Sequence, residues 1–282
     1  MDANAKAAVL VEALPYIRRF WGKVVVVKYG GNAIGDDASP AAFAEDIVLM
    51  RSVGMRPVVV HGGGPQIGDL MNRLGKTPEF RDGLRVTDAE TLDIARMVLV
   101  GKVNRDIVST INVHGPLAVG LSGEDAGLIR AEAKSPELGY VGEVSGVDPT
   151  IVERLLAQEL IPVIATIGSD DEGQAYNINA DTAAGAIAAA VGAEKLVYLT
   201  NVEGLRRDKD DPSTLISSTT TTELAALVAD GTVVEGMIPK VASCIEAVRN
   251  GVGQAHILDG RVAHALLLEV FTQTGIGTMV TA

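Results

Sequence analysis

The chain has 282 residues, in which 24 Lys and Arg stand against 36 Asp and Glu, so its formal net charge is −12. A field of this sign repels nucleic acids and anionic membranes, which excludes general binding to either. Hydrophobic residues make up 47% of the chain and aromatic residues 4%, which predicts an aliphatic core and argues against disorder. The single cysteine, Cys244, excludes an intramolecular disulfide and a multi-cysteine metal site, and it fits a reducing cytoplasm.

The first segment is predicted to be a helix with a kink at Pro15. Large apolar side chains recur in it at helical spacing: Leu10, Leu14, Ile17 and Trp21. This apolar stripe has two interpretations, namely packing on its own domain or burial against a partner. The segment lacks the features of a signal peptide, and the longest small-apolar run, 182–192, is too short to span a membrane. We therefore expect a soluble, cytoplasmic protein.

From Lys23 onward the chain alternates apolar strands with helices. Strands are predicted at 24–27, 57–61, 117–121, 161–167, 196–199 and 255–258, with a last strand after the loop at 275–278. Helices are predicted at 41–53, 65–75, 88–112, 149–158, from 182, at 224–229, 239–251 and 262–269. No element is assigned to 122–147, which is charged and rich in glycine. This alternation predicts an α/β fold with a largely parallel sheet covered by helices on both faces.

Two strand ends carry the strongest sign of a binding site. Lys28 precedes Gly30-Gly31, and His61 precedes the three glycines 62–64 and Pro65. Ligands of open parallel sheets bind beyond the carboxyl ends of the strands, where glycines allow close approach and helix N-termini attract anions. A run of glycines alone is also compatible with a tight turn. Two such turns, one with a lysine, favour an anion site.

Other well-known sites are excluded by spacing. Gly75-Lys76-Thr77 resembles the end of a Walker A loop, but Leu70 stands where that motif requires glycine. No Gly-x-Ser-x-Gly sequence accompanies the glycines after His61, which argues against an esterase. The histidines form no short metal-ligand spacing; they are His61, His114, His256 and His264.

Lys240 and Asp181 are candidates for the same site. Pro239 predicts a helix start, so Lys240 lies in the first turn, where the helix dipole disfavours a cation. It is either a solvated side chain or a cation that binds an anion together with the helix end. Asp181 precedes an Ala-rich helix and is either its N-cap or a carboxylate that holds two lysines in place.

Six motifs together resemble the amino acid kinase family, and within it the enzymes that phosphorylate N-acetyl-L-glutamate. They are Lys28-Tyr29-Gly30-Gly31, His61 to Pro65, Gly83 to Thr87, Gly139 to Val144, Asn177 to Asp181 and Gly236 to Lys240. The resemblance implies a three-layer αβα sandwich with two lobes. Its segments would be an oligomerisation arm (1–22), an N-acetylglutamate-binding lobe (23–192) and an ATP-binding lobe (193–282), with the boundary near Gly192.

The resemblance also implies the reaction and its residues. ATP, with Mg²⁺ held mainly by its phosphates, would phosphorylate the side-chain carboxylate of N-acetylglutamate in the second step of arginine biosynthesis. Lys28 and Lys240 would stabilise the transition state and Asp181 would orient them. The acetylated amino acid would be bound by Gly63, Gly64, Arg85 and Asn177. The nucleotide would be bound by Gly30, Gly31, Asn201, Val202, Glu203, Gly204, Leu205 and Lys240.

The N-terminal helix resembles the arm of the arginine-inhibited members, which joins dimers into a hexamer, a trimer of dimers. The implied arginine site consists of Tyr16, Lys195, His256, Glu269 and Gly275. Two other functions remain open at this point. One is a kinase of the same family for another acylated amino acid, such as N-acetylaminoadipate. The other is a nucleotide-sensing module without turnover.

Overall fold

The computed structural model describes residues 2–30, 40–208, 210–233, 237–272 and 275–282. Its strands are β1 (Val24–Tyr29), β2 (Arg56–His61), β3 (Phe80–Arg81), β4 (Leu84–Arg85), β5 (Ala118–Ser122), β6 (Ile129–Ala133), β7 (Val141–Val147), β8 (Ile161–Ala165), β9 (Ile167–Ser169), β10 (Ala175–Ile178), β11 (Lys195–Thr200), β12 (Ser218–Thr220), β13 (Gln254–Asp259) and β14 (Thr278–Thr281). The α-helices are α1 (Ala3–Phe20), α2 (Pro40–Ser52), α3 (Gly64–Arg73), α4 (Ala89–Arg96), α5 (Asn104–Asn112), α6 (Thr150–Ala157), α7 (Ala180–Ala190), α8 (Thr221–Ala229), α9 (Ile238–Arg249) and α10 (Ala265–Phe271).

The main sheet has eight strands in the order β12-β14-β13-β11-β1-β2-β8-β5. All its ladders are parallel except the one between β13 and β14. One apolar core lies on each face of the sheet, and alternate residues of β1 enter different cores, Val25 and Val27 on one face and Val26 on the other. The predicted α/β sandwich with a largely parallel sheet is confirmed.

Strands β1 and β11 are neighbours at the centre of this sheet, with Val25 opposite Lys195. One side of the sheet consists of β1, β2, β8 and β5, from the N-terminal part of the chain, and the other side consists of β11, β13, β14 and β12, from the C-terminal part. One hydrogen-bonded sheet therefore runs through both halves of the chain.

A small barrel of four strands, β10-β7-β6-β9, lies beside the main sheet. It includes β6 and β7, an antiparallel pair within the stretch 122–147 to which the sequence pattern assigned no element. The predicted strand at 161–167 is divided into β8 and β9, which belong to different sheets. These are the main errors of the predicted element order.

The predicted helix 88–112 is not a plain α-helix. A π-helical segment, Met97–Val103, separates α4 from α5. Its residues Leu99 and Val103 are buried in the same core as Ile107 of α5. The uniform 3.6-residue spacing expected here is therefore wrong in the middle of the run.

Helix α1 continues through Pro15 and leaves most of its apolar stripe exposed on this chain. Leu10 is 73% exposed and Trp21 67%, whereas Phe20 is buried at 2%. Only the C-terminal end of the helix thus packs on the rest of the chain. Among the described residues, no helix combines the length and the apolarity needed to cross a membrane.

Candidate active site

The two glycine turns lie side by side because β1 and β2 are paired, with Tyr29 opposite His61. The Gly62 amide donates a hydrogen bond of 3.3 Å to the Tyr29 carbonyl oxygen. A Cβ atom added at Gly30 would lie 3.1 Å from the Gly62 nitrogen, and one at Gly62 would lie 3.1 Å from Cβ of Ala180. The turns therefore pack closely against each other and against the N-terminus of α7. Gly31 lies outside the described residues.

Asp181 holds the two lysines that the sequence analysis singled out. Its carboxylate oxygens lie 2.9 Å from Nζ of Lys28 and 2.7 Å from Nζ of Lys240. Asp181 and Lys28 are 5% and 6% exposed, and Lys240 is partly exposed. Lys28 and Lys240 are more than 200 positions apart in the chain, yet both belong to one charged cluster with Asp181. The cluster has two cations and one anion, so its net charge is positive.

The carboxylate of Asp181 is available for the lysines because another residue caps α7. Asn179 is the N-cap, and its Oδ1 accepts hydrogen bonds from the backbone amides of Asp181 (2.8 Å) and Thr182 (3.3 Å). Of the two interpretations of Asp181, the N-cap is wrong and the carboxylate between two lysines is correct. Asn179 belongs to the motif Asn177 to Asp181, whose sequence alone does not indicate which residue caps the helix.

Burial alone would raise the pKa of Asp181, but the ammonium groups of Lys28 and Lys240 outweigh it and hold the pKa below its usual value. The carboxylate is therefore ionised at neutral pH and holds both lysine side chains in place. Lys240 lies in the first turn of α9, which begins at Ile238, one residue before the predicted Pro239. Its bond to Asp181 shows that it is not a freely solvated lysine.

Helix α3 starts directly after the second glycine turn and directs its N-terminus to this edge of the sheet. A Cβ atom at Gly63 would lie 2.8 Å from Leu99 and 3.1 Å from Val103, both in the π-helical segment. Gly63 is therefore required for the π-helical segment to approach the turn. Gly64 begins the helix and is exposed, so its backbone can approach a ligand.

Arg85 is a buried guanidinium that has no carboxylate partner among the described residues. It is 9% exposed, and its Nη2 donates to the carbonyl oxygen of Gly64 at 2.8 Å. The guanidinium carbon lies 4.7 Å from the centre of the Phe80 ring on the paired strand β3. Burial lowers the pKa of Arg85, yet a guanidinium stays charged at neutral pH. An anion next to Gly64 would meet a positive group that is already fixed in position.

Asn177 is connected to Arg85 through Thr87. The side-chain amide of Asn177 donates to Oγ1 of Thr87 at 3.4 Å, and Thr87 donates to the backbone carbonyl of Arg85 at 2.8 Å. The barrel strand β10 thereby brings Asn177 to the hairpin that carries Arg85. All four residues predicted to bind the substrate thus lie on neighbouring elements: Gly63 and Gly64 at the start of α3, Arg85 on β4 and Asn177 on β10.

A buried network behind the second glycine turn was missed. Nδ1 of His61 lies 3.1 Å from the Gly62 carbonyl oxygen, and its Nε2 lies 3.0 Å from Nδ2 of Asn104. The same amide donates to the Val163 carbonyl at 2.8 Å. Burial lowers the pKa of His61 to about 4, so the ring is neutral and supports the turn through hydrogen bonds. The position of Asn104 in a helical pattern gave no signal of this contact.

All five consecutive residues predicted at the nucleotide site line one pocket of about 310 Å³. They are Asn201, Val202, Glu203, Gly204 and Leu205. Met237, the N-cap of α9, lines the same pocket and is three residues from Lys240. Gly30 and Lys240, which were also predicted to bind the nucleotide, are not among the described residues that line it. Arg206 and Arg261 also line it and were not predicted.

A second pocket, of about 360 Å³, lies between α1 and the edge of α10. Four of the five residues predicted for arginine line it, namely Tyr16, Lys195, Glu269 and Gly275. The fifth, His256, is fully buried behind them, with Nδ1 2.8 Å from Glu269 and Nε2 3.2 Å from Nζ of Lys195. Burial lowers the pKa of Lys195 to about 8. The pocket is therefore lined by the Glu269 carboxylate on one side and by α1 on another. In the described part of the chain, α1 is the only helix before β1.

Comparison with known proteins agrees with this geometry. A model of the amino acid kinase family matches residues 23–259. The chain belongs to the amino acid kinase family. It is 56% identical to a protein named acetylglutamate kinase from Symbiobacterium thermophilum, over 99% of both chains. It is 54% identical to one of that name from Pelotomaculum thermopropionicum, over 98% of this chain and 97% of that protein.

Solved structures of N-acetylglutamate synthase from Neisseria gonorrhoeae are also similar. The complex with coenzyme A and N-acetyl-glutamate has a TM-score of 0.86 at 27% identity, and the match covers 98% of this chain and 63% of the synthase. The complex with coenzyme A and L-arginine has a TM-score of 0.81 at 26% identity, covering 98% and 65%. The chain thus spans less than two thirds of the synthase. The sequence-based resemblance to the amino acid kinase family is confirmed.

Proposed function

We infer that the chain is an enzyme that uses ATP to phosphorylate the side-chain carboxylate of N-acetyl-L-glutamate, a step of arginine biosynthesis. The observation that carries this inference is the cluster in which Asp181 binds both Lys28 and Lys240 beside the two glycine turns. Relatives named for this activity match nearly the whole chain at more than 50% identity. The product would be N-acetyl-L-glutamyl 5-phosphate, with release of ADP.

The residues suit a reaction that needs no general base. A glutamate side chain has a pKa of about 4.3, so the attacking carboxylate is already ionised at neutral pH. The difficulty is repulsion, since two unit charges 4 Å apart repel by roughly 4 kcal/mol at an effective dielectric constant of about 20. Lys28 and Lys240, oriented by Asp181, offset this repulsion and stabilise the charge on the phosphoryl group in transfer.

We propose that Gly63, Gly64, Arg85 and Asn177 bind the acetylated amino acid. The guanidinium of Arg85 is fixed by its bond to Gly64 and has no carboxylate partner in the described part of the chain, so it suits bidentate binding of the substrate's α-carboxylate. The start of α3 at Gly63 and Gly64 has no side-chain cap, so its backbone amides suit an oxygen of the same substrate. The substrate would then lie within 23–192 and the nucleotide within 193–282, with the two sites meeting at the charged cluster.

We propose that ATP binds with Mg²⁺, which would neutralise phosphate charge during transfer. The described residues contain no group of three or more His, Cys, Asp or Glu side chains that fits a metal ion. Asp181 is already engaged by two lysines, so the phosphates would hold most of the ion. Consumption of ATP and the buried free thiol of Cys244 favour a cytoplasmic location.

The activity is tested by measuring ADP release with ATP and each of four acceptors: N-acetylglutamate, glutamate, aspartate and N-acetylaminoadipate. We expect kcat/KM to be highest for N-acetylglutamate, because the four proposed substrate-binding residues include no carboxylate that could pair with the free ammonium group of an unacylated amino acid. A higher kcat/KM for N-acetylaminoadipate would mean that the chain is a kinase of the same family with a different substrate. No ADP release with any acceptor would instead support a nucleotide-sensing module.

We further propose that α1 is an oligomerisation arm and that arginine inhibits the enzyme. The exposed side chains of Leu10, Leu14 and Trp21 form an apolar surface suited to a second copy of α1. Through this contact dimers would join into a hexamer, a trimer of dimers. Helix α1 also contributes Tyr16 to the pocket that contains Glu269, so an effector bound there would contact the arm.

Arginine fits the chemistry of that pocket. The Glu269 carboxylate accepts a hydrogen bond from the Ile276 amide at 3.0 Å and lies beside His256, and it can pair with a guanidinium. Lys195 offers a positive charge to an α-carboxylate. A similar synthase has been solved with L-arginine, which supports the same ligand here. Coupling of this kind typically changes affinity by about 5- to 150-fold.

The arm is tested by comparing the full chain with a version that starts at Gly22. We expect the full chain to be a hexamer inhibited by millimolar arginine, and the shortened version to be a smaller oligomer with weaker inhibition. Size is measured by light scattering and inhibition by arginine titration. Glu269→Gln provides a matched control, since it should lose inhibition and keep the oligomer. A full chain that is a dimer insensitive to arginine would contradict the proposal.

A further inference from the structure

The neighbours of the Asn104 side chain fix the direction in which its amide points. Asn104 is fully buried, and its Oδ1 accepts a hydrogen bond from the guanidinium of Arg105, a group that has only donors. Its Nδ2 donates at 2.8 Å to the backbone carbonyl oxygen of Val163, which can only accept. The amide cannot be turned round without placing like groups against each other at both ends. Nδ2 is therefore the atom that faces Nε2 of His61, at 3.0 Å.

The direction of this amide determines the tautomer of His61. Because Nδ2 of Asn104 donates, Nε2 of His61 accepts and carries no hydrogen. The ring is fully buried and neutral, so its one N–H is at Nδ1. Nδ1 lies 3.1 Å from the carbonyl oxygen of Gly62 and donates to it. A chain of hydrogen bonds thus runs from Arg105 through Asn104 and His61 to the backbone of the glycine turn.

Gly120 on β5 provides the space for this chain of hydrogen bonds. A Cβ atom added at Gly120 would overlap Oδ1 of Asn104 and the guanidinium of Arg105. Gly120 also lies opposite Val163 in the ladder between β5 and β8. The missing side chain at position 120 is what allows the Asn104 amide to reach the carbonyl of Val163 and, beside it, the ring of His61.

The peptide group between Gly62 and Gly63 connects these bonds to the proposed substrate site. This group is planar and trans, so the Gly63 N–H points opposite to the Gly62 carbonyl and away from His61. Gly63 is buried, yet its amide donates no hydrogen bond within the described part of the chain. Buried backbone amides are nearly always paired, so this one indicates a ligand oxygen as its partner. Gly62 packs on Ala180, the neighbour of Asp181, which places the turn beside the charged cluster.

We propose that His61 and Asn104 are positioning residues for the phosphoryl transfer, which hold this peptide group so that the Gly63 amide donates to the reacting carboxylate of the substrate. This role rests on the proposed function. Neither side chain contacts the substrate itself. Glycines on both sides leave the peptide group free to rotate, and the bond from His61 to the Gly62 carbonyl prevents that rotation. A rotated peptide would turn its carbonyl oxygen towards an anionic substrate and lose the donor.

Two substitutions of His61 separate this role from a purely structural one. An asparagine amide nitrogen takes the place of Nδ1, so His61→Asn keeps the bond to Gly62 and loses the bond to Asn104. A glutamine amide oxygen takes the place of Nε2, so His61→Gln keeps the bond to Asn104 and loses the bond to Gly62. Each variant thus loses one hydrogen bond of the network, and their melting temperatures should fall by similar amounts.

The kinetic constants of the two variants should differ. We expect His61→Gln to lower kcat by about 10- to 100-fold, the cost of a misplaced donor, and His61→Asn to lower it by less than about 5-fold. The KM for ATP should stay within about twofold in both, because the Gly63 amide contacts the other substrate. ADP release with ATP and N-acetylglutamate gives the constants, and calorimetry gives the melting temperatures.

Two further variants serve as controls. Asn112 lies at the other end of α5 and bonds the backbone of Ala118, so Asn112→Ala should lower the melting temperature and leave kcat within about twofold. Arg105 is exposed, so Arg105→Ala should fold normally. It should lower kcat by about 3- to 10-fold, because the Asn104 amide can then turn round.

The positioning role is overturned if His61→Gln keeps the natural kcat or loses no more of it than His61→Asn does. If neither variant folds, an unchanged kcat in Arg105→Ala overturns it, and a lowered kcat there supports it. These outcomes contradict the positioning role alone, since they require a natural chain that phosphorylates N-acetylglutamate. A natural chain that releases no ADP would overturn both this role and the proposed function.

Discussion

Lys28→Ala and Lys240→Ala are each expected to lower kcat on the order of 10²- to 10³-fold, the cost of losing one preorganised group that stabilises developing charge. Each variant removes one of the two cations that Asp181 holds at 2.9 and 2.7 Å. The loss should be in kcat more than in KM, because the charge on the phosphoryl group is largest in the transition state. Steady-state kinetics with ATP and N-acetylglutamate measures both constants.

Lys23→Ala is the matched control for this prediction. Lys23 lies just before β1, at the opposite end from Lys28, and its half-exposed side chain pairs with Glu194 at 3.2 Å. An exposed ion pair of this kind contributes little, so kcat should stay within about twofold. If either Lys28→Ala or Lys240→Ala retained a near-normal kcat while Lys23→Ala behaved as expected, that lysine would have no part in the chemical step.

Arg85→Ala is expected to raise the KM for N-acetylglutamate by about 30-fold or more while changing kcat much less. Truncating one partner of a buried charge pair costs about 2–5 kcal/mol, and that range gives the size of the effect. The split between the constants follows from the proposed contact, because Arg85 would bind the α-carboxylate, which does not react. The KM for ATP should change little.

Arg81→Ala on the same hairpin is the control, because Arg81 pairs with Leu84 in the β3–β4 ladder and is exposed. Arg85→Lys is informative as well, since a lysine keeps the charge but loses the planar fork for bidentate binding. We expect its KM to lie between those of the natural chain and Arg85→Ala. A large fall in kcat with unchanged KM in Arg85→Ala would place the guanidinium at the reacting end instead.

The charged cluster could be predicted only in part from the strand pattern. Lys28 lies near the carboxyl end of a strand of the parallel sheet, where ligands bind. Asp181 follows the barrel strand β10, and Lys240 lies in α9, which follows helix α8, so their place beside Lys28 was implied by the resemblance to the kinase family and not by the sheet pattern. The exact roles were not accessible, and only the structure shows that Asn179, and not Asp181, is the cap.

The rest depends on contacts that local patterns do not contain. Strand β6 does alternate apolar and charged residues, but it has only five residues and stands in a stretch rich in glycine and charge. In β7 the residues Gly142, Glu143, Ser145 and Gly146 interrupt the alternation that identifies strands. The hydrogen bond between Asn104 and His61 joins residues 43 positions apart, and each residue type alone has many ordinary explanations. Within the described ranges Arg85 has no carboxylate partner, and this too is a property of the folded chain that its sequence neighbours do not indicate.

The π-helical segment between α4 and α5 determines which side chains of α5 face the core. Ala95 and Ile111 are both fully buried in the same core, and Ile111 follows Ala95 by sixteen positions. In a continuous α-helix, at about 100° per residue, that separation would rotate Ile111 by about 160°, nearly to the opposite side. The wider turns of Met97–Val103 remove most of this rotation, so one stripe at four-residue intervals faces the sheet throughout. The same correction turns Asn104 inward beneath His61, which means that the support of the glycine turn is set by helical pitch as much as by side-chain identity.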